Sequence, residues 1–249
     1  MDRRDYENSL VQQSRQCRET VDAIMKTVDY NMLTSAMPLK EIFDAQKIIM
    51  IGMGDSWLAG IAMKPVFEAA AKMEVEVMRT IDFSRELSSK ELGYSPNTPM
   101  VIDITVSGNP ARNEEALRRA DKYGANTICV TDQPESPAAK AARHVISTGL
   151  PEGTPYGPGA NSYIGSLIGL ALMALRIGRA KSTISQNQYE DMKKAIKDYC
   201  YEVCDKMEEI ADQAFEVAKT WKDLRAYDFI GDYGDYATAF FGSAKVLVY

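Results

Sequence analysis

Two glycine-containing turns carry the residue types that can hold a small anion. The first, Gly52-Met53-Gly54-Asp55-Ser56, follows the apolar run Lys47-Ile48-Ile49-Met50-Ile51. The second, Thr105-Val106-Ser107-Gly108-Asn109, follows Met100-Val101-Ile102-Asp103-Ile104. Glycine lets backbone N–H groups approach an anion closely, a hydroxyl adds a further donor, and a helix N-terminus adds positive potential. Ser56 stands at the start of a helical pattern, so its hydroxyl and amide can face one ligand; a plain helix cap by Ser56 or Asp55 is the simpler alternative. The second turn adds more than capping requires: hydroxyls at Thr105 and Ser107, a backbone freed at Gly108, and Pro110 suited to a first helical position. Together the turns predict one phosphate cradle, with Gly54 and Ser56 from the first and Thr105, Ser107 and Gly108 from the second.

Periodicity says which elements position these turns. Apolar runs at 47–51, 75–79, 100–104, 127–131 and 144–147 alternate with helical patterns at 56–72, 110–123 and 162–177. Such alternation is the signature of a parallel sheet covered by helices on both faces, in which ligands bind at the carboxyl ends of the strands. The expected fold class is α/β, a three-layer αβα sandwich around a five-stranded parallel sheet. Ahead of it, residues 6–43 are helical in pattern, with Val21, Ile24, Met25 and Val28 on one face and a break at Pro38. After it, residues 185–222 form a charged amphipathic stretch with Met192, Ile196, Tyr199 and Val203 at helical spacing. The segment Tyr227-Asp228-Phe229-Ile230-Gly231-Asp232-Tyr233-Gly234-Asp235-Tyr236 then repeats the strand, glycine turn and helix start seen around 51–57. The expected organisation is a helical extension over 1–45, a first α/β domain over 46–180, a helical connector over 181–225 and the start of a second, truncated copy over 226–249. On that basis the chain is a fragment of a two-domain protein of more than roughly 300 residues.

With 249 residues, 45% of them hydrophobic, the chain can bury a full-sized core. A formal charge of −6 and a pI near 5.0 leave no basic stripe for nucleic acid or an anionic membrane surface. The start, Met1-Asp2-Arg3-Arg4-Asp5-Tyr6-Glu7, lacks a signal-peptide core, and the apolar stretch 164–177 is short and broken by glycine. A cytoplasmic location with no membrane partner is expected. Cys17, Cys129, Cys200 and Cys204 have no metal-site or disulfide spacing and are expected as buried or incidental thiols. Gly52-Met53-Gly54 matches the first half of a dinucleotide fingerprint, but Trp57 replaces its third glycine and Met78-Arg79-Thr80 supplies no acidic ribose ligand. A phosphate-binding G-x-x-x-x-G-K-[ST] loop is also missing from the sequence.

The two turns resemble the sugar isomerase (SIS) domain family when taken with three further stretches. These are Ala116-Leu117-Arg118-Arg119-Ala120-Asp121-Lys122-Tyr123-Gly124-Ala125, Ile128-Cys129-Val130-Thr131-Asp132, and Ser136-Pro137-Ala138-Ala139-Lys140-Ala141-Ala142-Arg143-His144-Val145-Ile146. The family includes the isomerase half of glucosamine-6-phosphate synthase, fructosamine-6-phosphate deglycases and ketose/aldose isomerase-like proteins. The resemblance covers about 47–177 and resumes at 227–249; its most specific piece is the S-x-S-G-x-[ST] loop, matched by Thr105, Ser107 and Gly108. It implies that Ser56, Thr105 and Ser107 give hydroxyls to a sugar phosphate while the amides of Ser107, Gly108 and Asn109 complete the cradle. Pro110 stands where the family has Ser or Thr, removing one ligand; Arg112 is a candidate replacement or simply an exposed helix arginine.

Isomerising a sugar phosphate requires a base that moves a proton between C1 and C2 and a group that opens the ring. The resemblance places a loop glutamate at Glu152, after the fifth strand, as the candidate catalytic residue; its alternative is an exposed loop carboxylate. The family's proton-transfer glutamate falls in an A-L-K-L-K-E segment, matched here by Ser243-Ala244-Lys245-Val246-Leu247-Val248, which puts Val248 at the glutamate position. The sole histidine, His144, falls in a strand and is expected to be structural. Asn161 and Ser162 are expected to cap the helix that follows them.

The resemblance therefore implies a phosphosugar-binding protein, an aldose/ketose sugar-phosphate isomerase or a fructosamine-6-phosphate deglycase, without cofactor or metal, that takes a sugar 6-phosphate and forms a homodimer. A non-catalytic phosphosugar sensor is the alternative, supported by Val248 and the single histidine, and a nicotinamide-dependent oxidoreductase stands third.

Overall fold

The computed structural model describes residues 3–92, 99–155 and 159–248, with the backbone alone at 247 and 248. A 3₁₀ turn at Arg3–Tyr6 leads into four short helices, α1 (Ser9–Arg15), α2 (Cys17–Thr27), α3 (Tyr30–Ala36) and α4 (Leu39–Asp44). The α/β part runs β1 (Lys47–Gly52), α5 (Asp55–Ala71), β2 (Glu74–Arg79), α6 (Thr80–Arg85), α7 (Ser89–Leu92), β3 (Met100–Ile104), α8 (Ala111–Lys122), β4 (Asn126–Thr131), α9 (Pro137–Ala141), β5 (His144–Ser147) and α10 (Ala160–Ala180). Helices α11 (Gln186–Asp205), α12 (Met207–Trp221) and α13 (Gly234–Val248) complete it.

The five strands form one parallel sheet in the order β2-β1-β3-β4-β5. Every residue of β3 and β4 is buried, and β3 is apolar at all positions but Asp103. Edge strand β2 instead alternates Glu74-Val75-Glu76-Val77, with Val75 buried. The pleat divides the core in two. Ile48, Met50, Ile102, Ile104, Ile128 and Val130 pack with α2, α5 and α10 on one face, and Ile49, Ile51 and Val101 pack with Phe83 of α6, Leu92 of α7 and Ala116 and Ala120 of α8 on the other. This is the expected three-layer α/β sandwich.

Helix α10 is longer than the apolar stretch that predicts it. At 21 residues, with a mean hydropathy of 1.4 over its most apolar window, it is the one helix among the described residues long and apolar enough to cross a membrane. Of its most apolar window 72% is buried inside the protein, so the core accounts for its composition. Two further expectations need correction. Residues 227–230 join no sheet, although α13 does begin at Gly234 as the repeat requires; Ile230 is 92% exposed. A lone extended segment has no ladder partner for its amides, so local pattern alone does not make it a strand. Cys17 and Cys204 are not incidental thiols but a disulfide between α2 and α11, with Cα atoms 5.8 Å apart across a sequence separation of 187. Packing of distant helices makes that pair, and spacing along the chain does not reveal it.

Candidate functional site

The chain leaves β1 toward β2 on one side and enters β3 on the other, so β1 and β3 are neighbours whose connections run in opposite directions. The crevice at their carboxyl ends is the switch point at which open parallel sheets bind ligands. Both predicted turns end there. Gly54 is the N-cap of α5, with φ +53 and ψ −125, a conformation that glycine alone adopts without strain, and no side chain caps the helix. Pro110 is the N-cap of α8 and likewise offers no side-chain cap, and in these first turns the Ser56 N–H donates to the Met53 carbonyl at 3.1 Å and the Asn113 N–H to the Pro110 carbonyl at 3.0 Å. Gly108, with φ +59, turns the second loop under Ser136: a Cβ there would lie 1.9 Å from Ser136 Oγ.

A hollow of about 280 Å³ opens between the turns, with Met53, Ser56, Thr105, Ser107, Pro110 and Asn113 on its walls. Ser56 and Thr105 are buried. Ser107 is exposed, and its Oγ accepts the Asn109 N–H at 3.4 Å. Among the described residues no protein group bonds the Ser56 or Thr105 hydroxyl. The three predicted hydroxyl residues thus converge on one cavity. Gly54, Gly108 and Asn109 shape the turns without lining it. Glu152 is exposed and lines a second hollow of about 650 Å³, which meets the first at Val106 and Ser162. Ser162 does not cap α10, whose N-cap is Gly159; it lies in the first turn and faces both hollows. Arg112 is exposed, pairs with Glu115 and lines neither hollow. His144 sits at the opposite, amino end of β5, 2.8 Å from Glu41 of α4. The Val248 side chain lies outside the described residues.

Two features of the site escaped the sequence. Lys245 of α13 places Nζ 2.5 Å from the carboxylate of Asp55, the first residue of α5 and a wall of the smaller hollow. Phe241 stacks on Tyr163 at 4.2 Å and lies under the Lys245 ammonium at 4.3 Å. Burial, with Asp55 nearby, pushes the Tyr163 phenol up to about 12. Beneath the second turn, Asp103 is fully buried in β3 and accepts a hydrogen bond from Asn113 Nδ2 at 2.7 Å. Burial pushes the Asp103 carboxyl up to about 7, against the Asn113 hydrogen bond that lowers it. Asp103 Oδ2 and Asn113 Oδ1 have no partner. Both are acceptors while the carboxyl is ionised, so a proton on Oδ2 supplies the donor the pair lacks.

The SIS domain profile matches residues 41–176. A glutamine–fructose-6-phosphate aminotransferase [isomerizing] from Halobacterium salinarum is 28% identical over 208 residues, covering 82% of this chain and 32% of that protein. Its Clostridium tetani counterpart is 29% identical, covering 80% and 32%. The chain therefore spans about a third of the length of these relatives. Among solved structures, the C-terminal domain of glucosamine-fructose-6-phosphate aminotransferase from Francisella tularensis superposes with a TM-score of 0.85 at 16% identity, over 100% of this chain and 69% of that one. A proposed phosphosugar isomerase from Salmonella typhimurium superposes with a TM-score of 0.67 at 23% identity, over 87% and 63%. With the profile matched over more than half its length, on a parallel sheet whose switch point carries both turns, the chain belongs to the SIS domain family.

Proposed function

We propose that this chain binds a sugar 6-phosphate, with the phosphate in the smaller hollow and the sugar extending toward Glu152. The observation that carries the proposal is the meeting of Ser56, Thr105 and Ser107 on one cavity at the switch point, beside two helix N-termini without side-chain caps. The amides of Ser107, Gly108 and Asn109 complete the cradle when the ligand takes the place of the internal contact at Ser107. The named activity of the sequence relatives, which act on fructose 6-phosphate, supports a phosphosugar as ligand. The proposed activity is aldose/ketose isomerisation, or the related cleavage of a fructosamine 6-phosphate, in a cytoplasmic homodimer. Residues 226–249 would open a second copy of the domain, with 1–45 as the helical extension and 181–225 as the connector.

Calorimetric titration with fructose 6-phosphate and with fructose tests the binding. Affinity for the phosphorylated sugar alone is expected. Ser107→Ala should weaken it by about 10-fold or more, since a hydrogen bond to a charged group contributes roughly 1.5–3 kcal/mol. Equal affinity for both sugars would end the phosphate assignment.

A non-catalytic sensor is the second reading, favoured by His144 lying at the far end of the sheet in a pair with Glu41. Deuterium wash-in at C1 of fructose 6-phosphate separates the two. An isomerase exchanges that proton, and Glu152→Gln should slow it by roughly 100-fold, the low end for a positioned acid or base. Binding without exchange identifies the sensor.

A further inference from the structure

The hollow that holds Glu152 has one wall from outside the SIS profile. Gln13 of α1 is 1% exposed, although most of that short helix is half-buried or exposed. Both ends of its amide are engaged. Nε2 donates to the Pro155 carbonyl at 3.0 Å, and Oε1 accepts the Asn161 N–H at 3.1 Å. Pro155 belongs to the segment that carries Glu152, and Asn161 to the first turn of α10, whose N-cap Gly159 offers no side-chain acceptor. Gln13 therefore does from another element what a cap does locally: it satisfies an orphan first-turn amide. It also fixes the separation between the end of the Glu152 segment and the helix that presents Ser162. The other end of that segment is pinned as well, because Asp132 Oδ1 accepts the Leu150 N–H at 2.8 Å. Glu152 is thus held between two polar clamps, and only the Asp132 clamp lies within residues 41–176.

We infer that Gln13 is a positioning residue of the sugar end of the site, so that the amino-terminal helix is a working part of the phosphosugar pocket. This rests on the phosphosugar reading above. Gln13 lines the larger hollow and not the smaller one, so it acts on what the sugar meets and not on the phosphate cradle.

The test compares two ligands on two variants. Gln13→Glu keeps size and acceptor but cannot donate to Pro155; Gln13→Met keeps length and loses both bonds. Wild type and variants, each with a measured Tm, are titrated with fructose 6-phosphate and with inorganic phosphate. The expected result is a loss of about 10-fold or more for fructose 6-phosphate, with phosphate affinity unchanged within roughly twofold. Equal losses for both ligands, as a merely structural role would give, or no loss for either, overturn the inference. If Gln13→Met does not fold, the isosteric Gln13→Glu decides. If wild type binds neither ligand, the phosphosugar reading falls, and Gln13 is judged by amide hydrogen exchange. Faster exchange at 149–155 and at Asn161 in the variants, with β3 unchanged, supports the clamp, and unchanged exchange overturns it.

Discussion

Gly108→Ala is expected to abolish phosphosugar binding and to lower stability by about 2–4 kcal/mol. The left-handed backbone at φ +59 costs a residue with a side chain roughly 1–2 kcal/mol. The new Cβ would also sit 1.9 Å from Ser136 Oγ and 2.5 Å from Ser136 Cβ, so one of the two must move. Neither moves freely. Ser136 is the N-cap of α9, with Oγ accepting the Ala139 N–H at 3.3 Å, and the Gly108 carbonyl accepts the Ala138 N–H at 3.1 Å. Displacing Ser136 forfeits a cap contributing roughly 0.5–2 kcal/mol, and displacing the loop pulls Ser107 away from the hollow. A fall in Tm of roughly 4–16 °C follows for a chain of this size. Adding Ser136→Gly should remove the clash but not the strained φ, recovering part of the Tm. A single substitution that leaves both Tm and affinity unchanged would contradict the account of this turn.

Asp103→Asn should stabilise the protein above pH 7 and change it little near pH 4. The Asp103 carboxyl is pushed up from 3.8 to about 7 by burial. Between those values the folded state keeps a proton that the unfolded state has released, so stability falls as pH rises through this window and levels off above it. The difference of about 3 units corresponds to at most roughly 4 kcal/mol. Asparagine keeps an acceptor for Asn113 Nδ2 and replaces the orphaned oxygen with a donor, with no charge to bury. The groups facing Asp103 are Asn113 from α8 and, across the ladder, Cys129 from β4, whose thiol is pushed up by burial and by Asp103 itself. Denaturant unfolding of both proteins from pH 4 to 9 measures the effect. Profiles that diverge by about 2–4 kcal/mol across the window are expected, whereas parallel profiles would show that Asp103 titrates normally. All other carboxylates are common to both proteins and cancel in the difference.

The strands were legible because a buried parallel strand leaves little choice of residue. Met100–Ile104 and His144–Ser147 end where the apolar runs end, and the other three strands differ by one residue. The two turns were legible for a related reason, since a glycine at a strand end lets the backbone turn into the helix that follows, as Gly54 and Gly108 do at φ +53 and +59. What stayed hidden depends on distant pairing. Gln13 meets Pro155 across 142 residues and Lys245 meets Asp55 across 190, and neither partner carries a local sign of the other. Asp103 was hidden differently: a carboxylate inside an apolar strand follows no period, and only the fold shows that Asn113 covers it. Helices α6, α7 and α9 span six, four and five residues, too few turns for a periodicity to emerge.

The contact between Lys245 and Asp55 also has a history. A ribosome adding about 5–20 residues per second needs roughly 10–40 s to travel the 190 residues between them. All five strands and both glycine turns are complete by the end of that interval, so the crevice at their carboxyl ends is made before the cation that pairs with Asp55. Until α13 arrives, the carboxylate at the first turn of α5 stands without the Lys245 ammonium. The electrostatics at the start of α5 are thereby set by a helix made well after the turns that flank it.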